Sequence, residues 1–535
     1  MSRVEQAKTL DLSRRDFVLA TGGALAGMAA FGLADPAAAA KKHPQRGGVL
    51  RYGSRGDTAG LDGHRHNQFH GSHTTSVMYT SLTDIDYEGN IIPGIAESWE
   101  PSKDLKSWVF KLRKGVLFHN GREVDAEAVK LNLERIKDPA IGGQWERGAV
   151  DTIDSVEVID RYTVRINATL PDVTVPSSVM HYPTRLLAPD TFDTASEHPV
   201  ATGPFKFVSW ARYNETRLVR FENYWETDAE GNNLPYLDEI IGKPKREDSV
   251  RLTALLTGQV QLITSMATAD VERFMERHSS TYNIWQSHLG GRLLIFNFRR
   301  GPFQDKRVRT AAAHALDREA IHHAVYYRQG AMNNQPYPKG NRWHMDGIRM
   351  LEYDPERAKA LLKEARAVGT EVKIVCSANI AVSRESGQVI QDYWNKAGFK
   401  ATVEPLDSVP FRQARSKGSF DGLVNGHSYR YDPDDFYGRN LHSESQYAQI
   451  LSGWKNERFD KLIDEAKRTL EPERRKEMYT EAWNIVNNEL PHYYLHEELW
   501  TSAATKDVHY KPNRLGALQY RDGHDGGFRT AYIEA

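Results

Sequence analysis

The sequence predicts a mixed α/β protein, and three features carry that expectation. Residues 107–112 alternate polar and apolar side chains, as a half-buried antiparallel strand does. Asp125, Asp317 and Asp354 each stand directly before an apolar pattern of helical spacing, where a short acceptor side chain caps a helix. Between 372 and 403 a strand-like run, a helical run and a second strand-like run follow one another, the order that builds a parallel βαβ unit.

In chain order, Trp108, Phe110 and Leu112 share one strand face, and Lys114-Gly115 supplies the turn after it. Asp125 caps a helix through Val129, Leu131, Leu133 and Ile136, and Asp160-Arg161 joins two short alternating runs as a hairpin. Val308 to Leu316 is helix-forming by composition, and Asp317 caps the next helix through Ile321 and Val325. Asp354-Pro355 combines a cap with proline at the first helical position. Val372 to Val375 and Phe399 to Val403 flank the helical run Val389 to Trp394, which predicts a mainly parallel sheet with helices on its faces. Phe459, Leu462, Ile463 and Ala466, then Met478, Ala482, Trp483, Ile485 and Val486, recur at helical spacing and predict two amphipathic helices.

Composition narrows the function. In 535 residues, 70 Lys and Arg against 71 Asp and Glu leave a net charge of -1, which argues against a nucleic-acid partner. A hydrophobic share of 40% supports folded cores, and the length suits several structural units. The single Cys376 excludes an intrachain disulfide and a Cys-based zinc motif. No GxSxG elbow, HExxH or Walker loop occurs, so no enzyme motif is present.

At the N-terminus, Ser13-Arg14-Arg15-Asp16-Phe17 precedes an Ala- and Gly-rich apolar stretch that ends in Ala37 to Ala40. This resembles a twin-arginine export signal, so residues 1–40 are expected to be removed and the mature chain to reach the periplasm. No cysteine follows the stretch, and a lipid anchor is not expected.

Segments spread over the chain carry a wider resemblance. They are Leu82-Thr-Asp84 with Ile92-Pro-Gly-Ile-Ala-Glu-Ser-Trp99, Trp108 through His119, Thr202-Gly-Pro-Phe-Lys-Phe207 with Asn223-Tyr-Trp225, Phe296-Asn-Phe298, Pro302 through Ile321, and Asp432-Pro-Asp-Asp-Phe436. In this order they resemble the extracytoplasmic solute-binding proteins of ABC importers, the peptide, nickel and opine type. The resemblance implies two lobes joined by a hinge, with an extra subdomain in lobe one. By position, residues 41–83, 196–288 and 498–535 form the lobe one core, 84–195 the extra subdomain and 289–497 lobe two.

Three stretches are candidates for contact with a solute. Between 57 and 73 lie Asp62, His64, His66, His70 and His73, and clustered imidazoles suit either a transition metal or hydrogen bonds to an organic ligand. The loop 376–384 sits at a strand end, where ligands bind in α/β sheets, and offers Ser377, Asn379 and Arg384. The run His427-Ser-Tyr429-Arg430-Tyr431 occupies the place where peptide-binding members present a strand end, with either the tyrosines or Arg430 toward the cleft. The resemblance puts an ammonium-binding Asp where Tyr429 stands and a carboxylate-binding Arg where Ser377 stands, so neither charged anchor carries over. Asp432, ahead of Pro433, reads as a helix cap.

The function expected is therefore capture of a polar organic solute, peptide-like or opine-like, by a monomer that delivers it to an ABC permease in the inner membrane. No cofactor or bound metal is expected. A nickel or metal-chelate binder of the same family is the alternative, and a secreted hydrolase is the alternative from another class.

Overall fold

Ser107–Leu112 is a strand that buries Trp108, Phe110 and Leu112, as their alternation requires. The computed structural model describes residues 44–65, 76–86, 90–428, 432–511 and 527–534. The export-signal segment 1–40 lies outside them.

That strand is second in a four-stranded antiparallel sheet ordered Ala96–Pro101, Ser107–Leu112, Thr163–Ala168, Ile153–Asp160. The helix Ala126–Lys137 packs on it and buries Val129, Leu133 and Ile136, its first turn capped by Asp125, which accepts from the Ala128 N–H at 2.8 Å. Phe110 is a fully buried member of the resulting core. Cutting such a side chain to alanine costs about 3–5 kcal/mol, so this small sheet stands or falls with it.

A ten-stranded sheet forms the backbone of the molecule. Its order is Lys400–Leu406, Glu371–Ser377, Gly422–Ser428, Tyr282–Phe296, His492–Thr505, Leu262–Ile263, Val49–Ser54, Glu239–Pro244, Glu215–Arg220, Phe205–Ala211. The βαβ unit appears where the sequence predicts it: Glu371–Ser377 pairs in parallel with Lys400–Leu406 across the helix Ala381–Ala397. The sheet as a whole is mixed, however, because Tyr282–Phe296 runs antiparallel to both its neighbours. Parallel pairing recurs at Val49–Ser54, which runs parallel to both Glu239–Pro244 and Leu262–Ile263, while the two long strands and the edge strands Glu215–Arg220 and Phe205–Ala211 pair antiparallel.

Both faces of the sheet are covered, which accounts for the unbroken apolar run at 293–296. Leu294 and Phe296 join a cluster with Phe303, Trp394 and Phe399. Leu293 and Ile295 point the other way, into a cluster with Tyr437, Phe459, Tyr479 and Trp483. The helices Arg318–Tyr326 and Pro355–Glu364 begin at Asp317 and Asp354, whose side chains accept from Ala320 and Arg357 N–H groups. Glu457–Lys467 and Pro472–Glu489 are the two C-terminal amphipathic helices, and Ile485 is only partly buried.

The two longest strands, Tyr282–Phe296 and His492–Thr505, pair with each other along nearly their whole length. The far part, 290–296, also pairs with Gly422–Ser428, whereas 503–504 pairs with Leu262–Ile263. The register shifts between His288 and Gly290, and again between Arg292 and Leu293. Each long strand thus runs from one half of the sheet into the other, with an irregularity between.

Candidate functional site

Asp62 and His64 lie in the loop after Val49–Ser54, and both are buried. Arg135, from the last turn of Ala126–Lys137, forks onto Asp62, with Nη1 3.1 Å from Oδ1 and Nη2 2.6 Å from Oδ2. The same Nη1 donates to His64 Nδ1 at 2.9 Å, so the imidazole carries its proton on Nε2 and donates to the Arg185 carbonyl at 2.9 Å. Burial drives the His64 pKa down to about 4, with Arg135 adding to the fall and Asp62 opposing it. Burial also works against the Asp62 carboxylate, but the hydrogen bonds and charge of Arg135 and the His64 backbone N–H hold its pKa below the ordinary value. Both ring nitrogens of His64 are thereby engaged with protein groups. In this arrangement the pair fastens the loop to the helix, and the expectation that it faces a solute finds no free polar atom on His64. Nothing in the sequence pattern marked Arg135 as the partner. His66, His70 and His73 lie outside the described residues.

The loop after Glu371–Ser377 brings three candidates together. Ser377 is buried, and its N–H donates to Ser383 Oγ at 3.2 Å. Asn379 is exposed, its amide facing Asp407 Oδ1 and the Ser408 hydroxyl at 3.1 Å. Arg384 turns back from the first turn of Ala381–Ala397 to donate to the Ala378 carbonyl at 2.8 Å. Cys376 at the strand end is fully buried, and burial pushes its thiol up to about 11, which makes it a packing residue.

The neighbouring strand Gly422–Ser428 carries His427, half-buried, whose Nε2 lies 2.8 Å from the Tyr494 hydroxyl and whose ring sits 4.7 Å from that of Phe436. Tyr429, Arg430 and Tyr431 fall outside the described residues. Asp432 accepts from the Asp434 N–H at 3.0 Å, as a cap would, but its main partner is Arg475. The capping expectation is corrected to that extent: a buried carboxylate needs a countercharge.

Sequence reasoning missed a polar cluster at the irregularity in the long strands. Arg292 forks onto Glu498, with Nε 2.8 Å from Oε1 and Nη2 3.0 Å from Oε2, and His288 pairs with Glu497. The Tyr326 ring stacks on His496 at 3.6 Å, and His322 Nδ1 lies 2.8 Å from His496 Nε2. Burial, helped by His322, Arg318 and Arg292, drives the His496 pKa down to about 2. Burial opposes the Arg292 charge, yet Glu498 raises its pKa above the ordinary arginine value. The two ion pairs join strand residues more than 200 positions apart, and His322 is 174 positions from His496, so no local pattern announces such pairing. Among the described residues no group of three His, Cys, Asp or Glu is arranged to hold a metal, and no helix is long and apolar enough to cross a membrane.

A family model described as bacterial extracellular solute-binding proteins, family 5 Middle, matches residues 90–449. Di/tripeptide-binding protein 1 of Pseudomonas aeruginosa (strain UCBPP-PA14) is 27% identical over 453 residues, covering 77% of this chain and 82% of that protein. The structure of the PBP AgaA in complex with agropinic acid, from A. tumefacien R10, superposes with a TM-score of 0.79 at 25% identity, over 91% of this chain and 99% of that one. The ABC transporter-associated periplasmic binding protein DppA from Helicobacter pylori, in complex with the peptide STSA, gives 0.78 at 24% identity, over 92% and 99%, a likeness of fold.

Proposed function

We infer the function from one premise: the chain belongs to the bacterial extracellular solute-binding proteins of family 5. It is thus a periplasmic binding protein of a family made of binding proteins rather than enzymes. The finer reading is that it captures a peptide-like or opine-like polar organic solute between two lobes and delivers it as a monomer to an ABC permease of the inner membrane. The resemblance to a di/tripeptide binder and to an agropinic acid binder supports this class. The irregularity shared by Tyr282–Phe296 and His492–Thr505 supports a hinge there, since these strands link the two halves of the sheet. Closure follows from ligand contacts made with both lobes at once, which are available only in the closed state.

Ser377, Asn379, Arg384 and His427 are the contact residues we favour among those described, because they gather at the ends of adjacent strands. Tyr429, Arg430 and Tyr431, which follow Gly422–Ser428 in sequence, complete the set. The metal-chelate alternative loses His64, whose two ring nitrogens bond to Arg135 and Arg185. Export is assigned to residues 1–40 by the twin-arginine route. Native mass spectrometry of the protein purified from its own periplasm, with metal analysis of the same sample, tests the reading. A peptide or sugar-amino acid conjugate in stoichiometric amount is expected; one nickel or iron per chain in its place would overturn the solute class.

A further inference from the structure

Two segments far apart in the sequence meet along a seam, 151–181 on one side and 432–467 on the other. The Val173 N–H donates to the Lys467 carbonyl at 2.9 Å, and His181 Nε2 lies 3.1 Å from Asp435 Oδ1. Behind these contacts Lys467 Nζ lies 3.0 Å from Asp434 Oδ2. Asp172 and Asp151 act on the same ammonium from the opposite side, and Arg439 acts on Asp151. Asp172 Oδ2 and Asp434 Oδ1 are buried without a partner among the described residues. Nearby Asp432 is neutralised by Arg475, and burial keeps the phenols of Tyr337 and Tyr479, which also face these carboxylates, in their neutral form.

On the two-lobe reading, on which this inference rests, Val173 and His181 belong to the extra subdomain and Asp434, Asp435 and Lys467 to lobe two. The seam then exists only when the lobes are closed. We propose that it is a proton-linked latch: closure brings Asp172 and Asp151 against the Asp434–Lys467 pair and His181 against Asp435, so that the closed state takes up protons and mild acid favours it.

The physical reason is a mismatch of charge in a dry place. Apart, each carboxylate has water. Together, Asp151, Asp172 and Asp434 surround a single ammonium, and water exclusion with like charge favours the neutral form of one of them. His181 adds a contact to Asp435 across the same seam and so helps to hold the two segments together. Burial pushes Asp434 up to about 7, with Asp172 and Asp432 adding to the rise and Lys467 opposing it, and burial raises Asp151 as well. A carboxyl whose pKa rises on closure binds its proton more tightly in the closed state, and closure strengthens as pH falls through that range.

Small-angle scattering of the purified chain without added solute tests this, at about pH 5.5 and about pH 8.5, either side of the expected titration. The radius of gyration is expected to be smaller in acid, with slower amide exchange at Val173 after correction for intrinsic rates. The double variant D434N/H181Q should lose the difference. Val173→Trp wedges the seam and provides the open reference. If the wild type has one radius at both pH values while Val173→Trp is larger, the latch is overturned and lobe closure stands. If Val173→Trp also matches the wild type at both pH values, the two-lobe closure fails with it. An acid compaction that survives in D434N/H181Q would likewise overturn the latch, because other groups would then carry it.

Discussion

Arg475 grips Asp432 through two hydrogen bonds, at 2.7 and 2.6 Å, where both side chains are buried. Tyr479 accepts a third bond from the guanidinium at 2.9 Å, and the Trp343 ring lies 5.2 Å from it. The pair ties the start of the helix Asp434–Leu441 to the helix Pro472–Glu489.

Arg475→Ala should destabilise the fold by about 3–5 kcal/mol, because it leaves a buried carboxylate without its countercharge. The double variant D432L/R475M should lose far less, since a buried pair exchanged for packed apolar groups is often near neutral. Urea unfolding of the wild type, the single and the double variant measures both. A single variant as stable as the wild type would mean that water reaches Asp432.

How much of this was legible in the sequence depends on distance along the chain. The caps Asp125, Asp317 and Asp354 were readable because a cap and its helix are neighbours, and the two C-terminal helices because their apolar spacing repeats every turn. The βαβ unit was readable for the same local reason. Asp432 misled because its sequence neighbours, Pro433 and Asp434, suit a cap, while the residue that neutralises it lies 43 positions on. The partner of Asp62, Arg135, is 73 positions away and was equally invisible in the local pattern. A charge invites the reading of a site until its partner is known, and partners across a fold leave no periodic trace.

Buried histidines should make the protein acid-sensitive. Burial drives His64 and His119 down to about 4 and His492 to about 3. In the unfolded chain a histidine titrates near about 6.5, so above that pH both states hold it neutral and stability is unaffected. Below it the unfolded chain takes a proton that the fold refuses, and stability falls by about 1.4 kcal/mol per histidine per pH unit until the folded pKa is reached. Neither ring nitrogen of His492 has a partner among the described residues. His492→Phe should therefore be tolerated at neutral pH and should flatten the acid slope, as read from urea midpoints across the range. An unchanged slope would show that His492 accepts a proton in the folded state.

Gly291 should not tolerate a side chain. A Cβ there would lie 1.8 Å from the Tyr494 hydroxyl, which bonds to His427 at 2.8 Å. Gly291→Ala must displace a fully buried tyrosine, and overpacking of this kind costs about 1–3 kcal/mol. Gly63→Ala is the control, since its Cβ would meet only the Tyr79 ring at 3.9 Å. Thermal unfolding of the two variants side by side should separate them by several degrees, with Gly291→Ala the lower; equal melting temperatures would mean that Tyr494 has room to move.

Plain dipeptides should bind poorly. A dipeptide brings an ammonium and a carboxylate whose desolvation must be offset, and each charge-assisted contact contributes about 1.5–3 kcal/mol. The resemblance to peptide binders puts an Asp at Tyr429 and an Arg at Ser377, and neither replacement carries the needed charge. Asp62 and Asp432 offer no substitute, because Asp62 is held by Arg135 and Asp432 by Arg475. Arg384 remains as the cation of the loop, with Nη1 on the Ala378 carbonyl. A ligand that binds only the folded state raises the melting temperature according to its affinity, so a thermal-shift screen ranks the classes directly. With dipeptides, longer peptides, opine-like conjugates and oligosaccharides at equal concentration, the larger conjugates or longer peptides should give the largest shifts. Arg384→Ala should reduce those of the carboxylate ligands. If dipeptides led the screen and Arg384→Ala left them unaffected, the loss of anchors at Tyr429 and Ser377 would no longer explain the specificity of this protein.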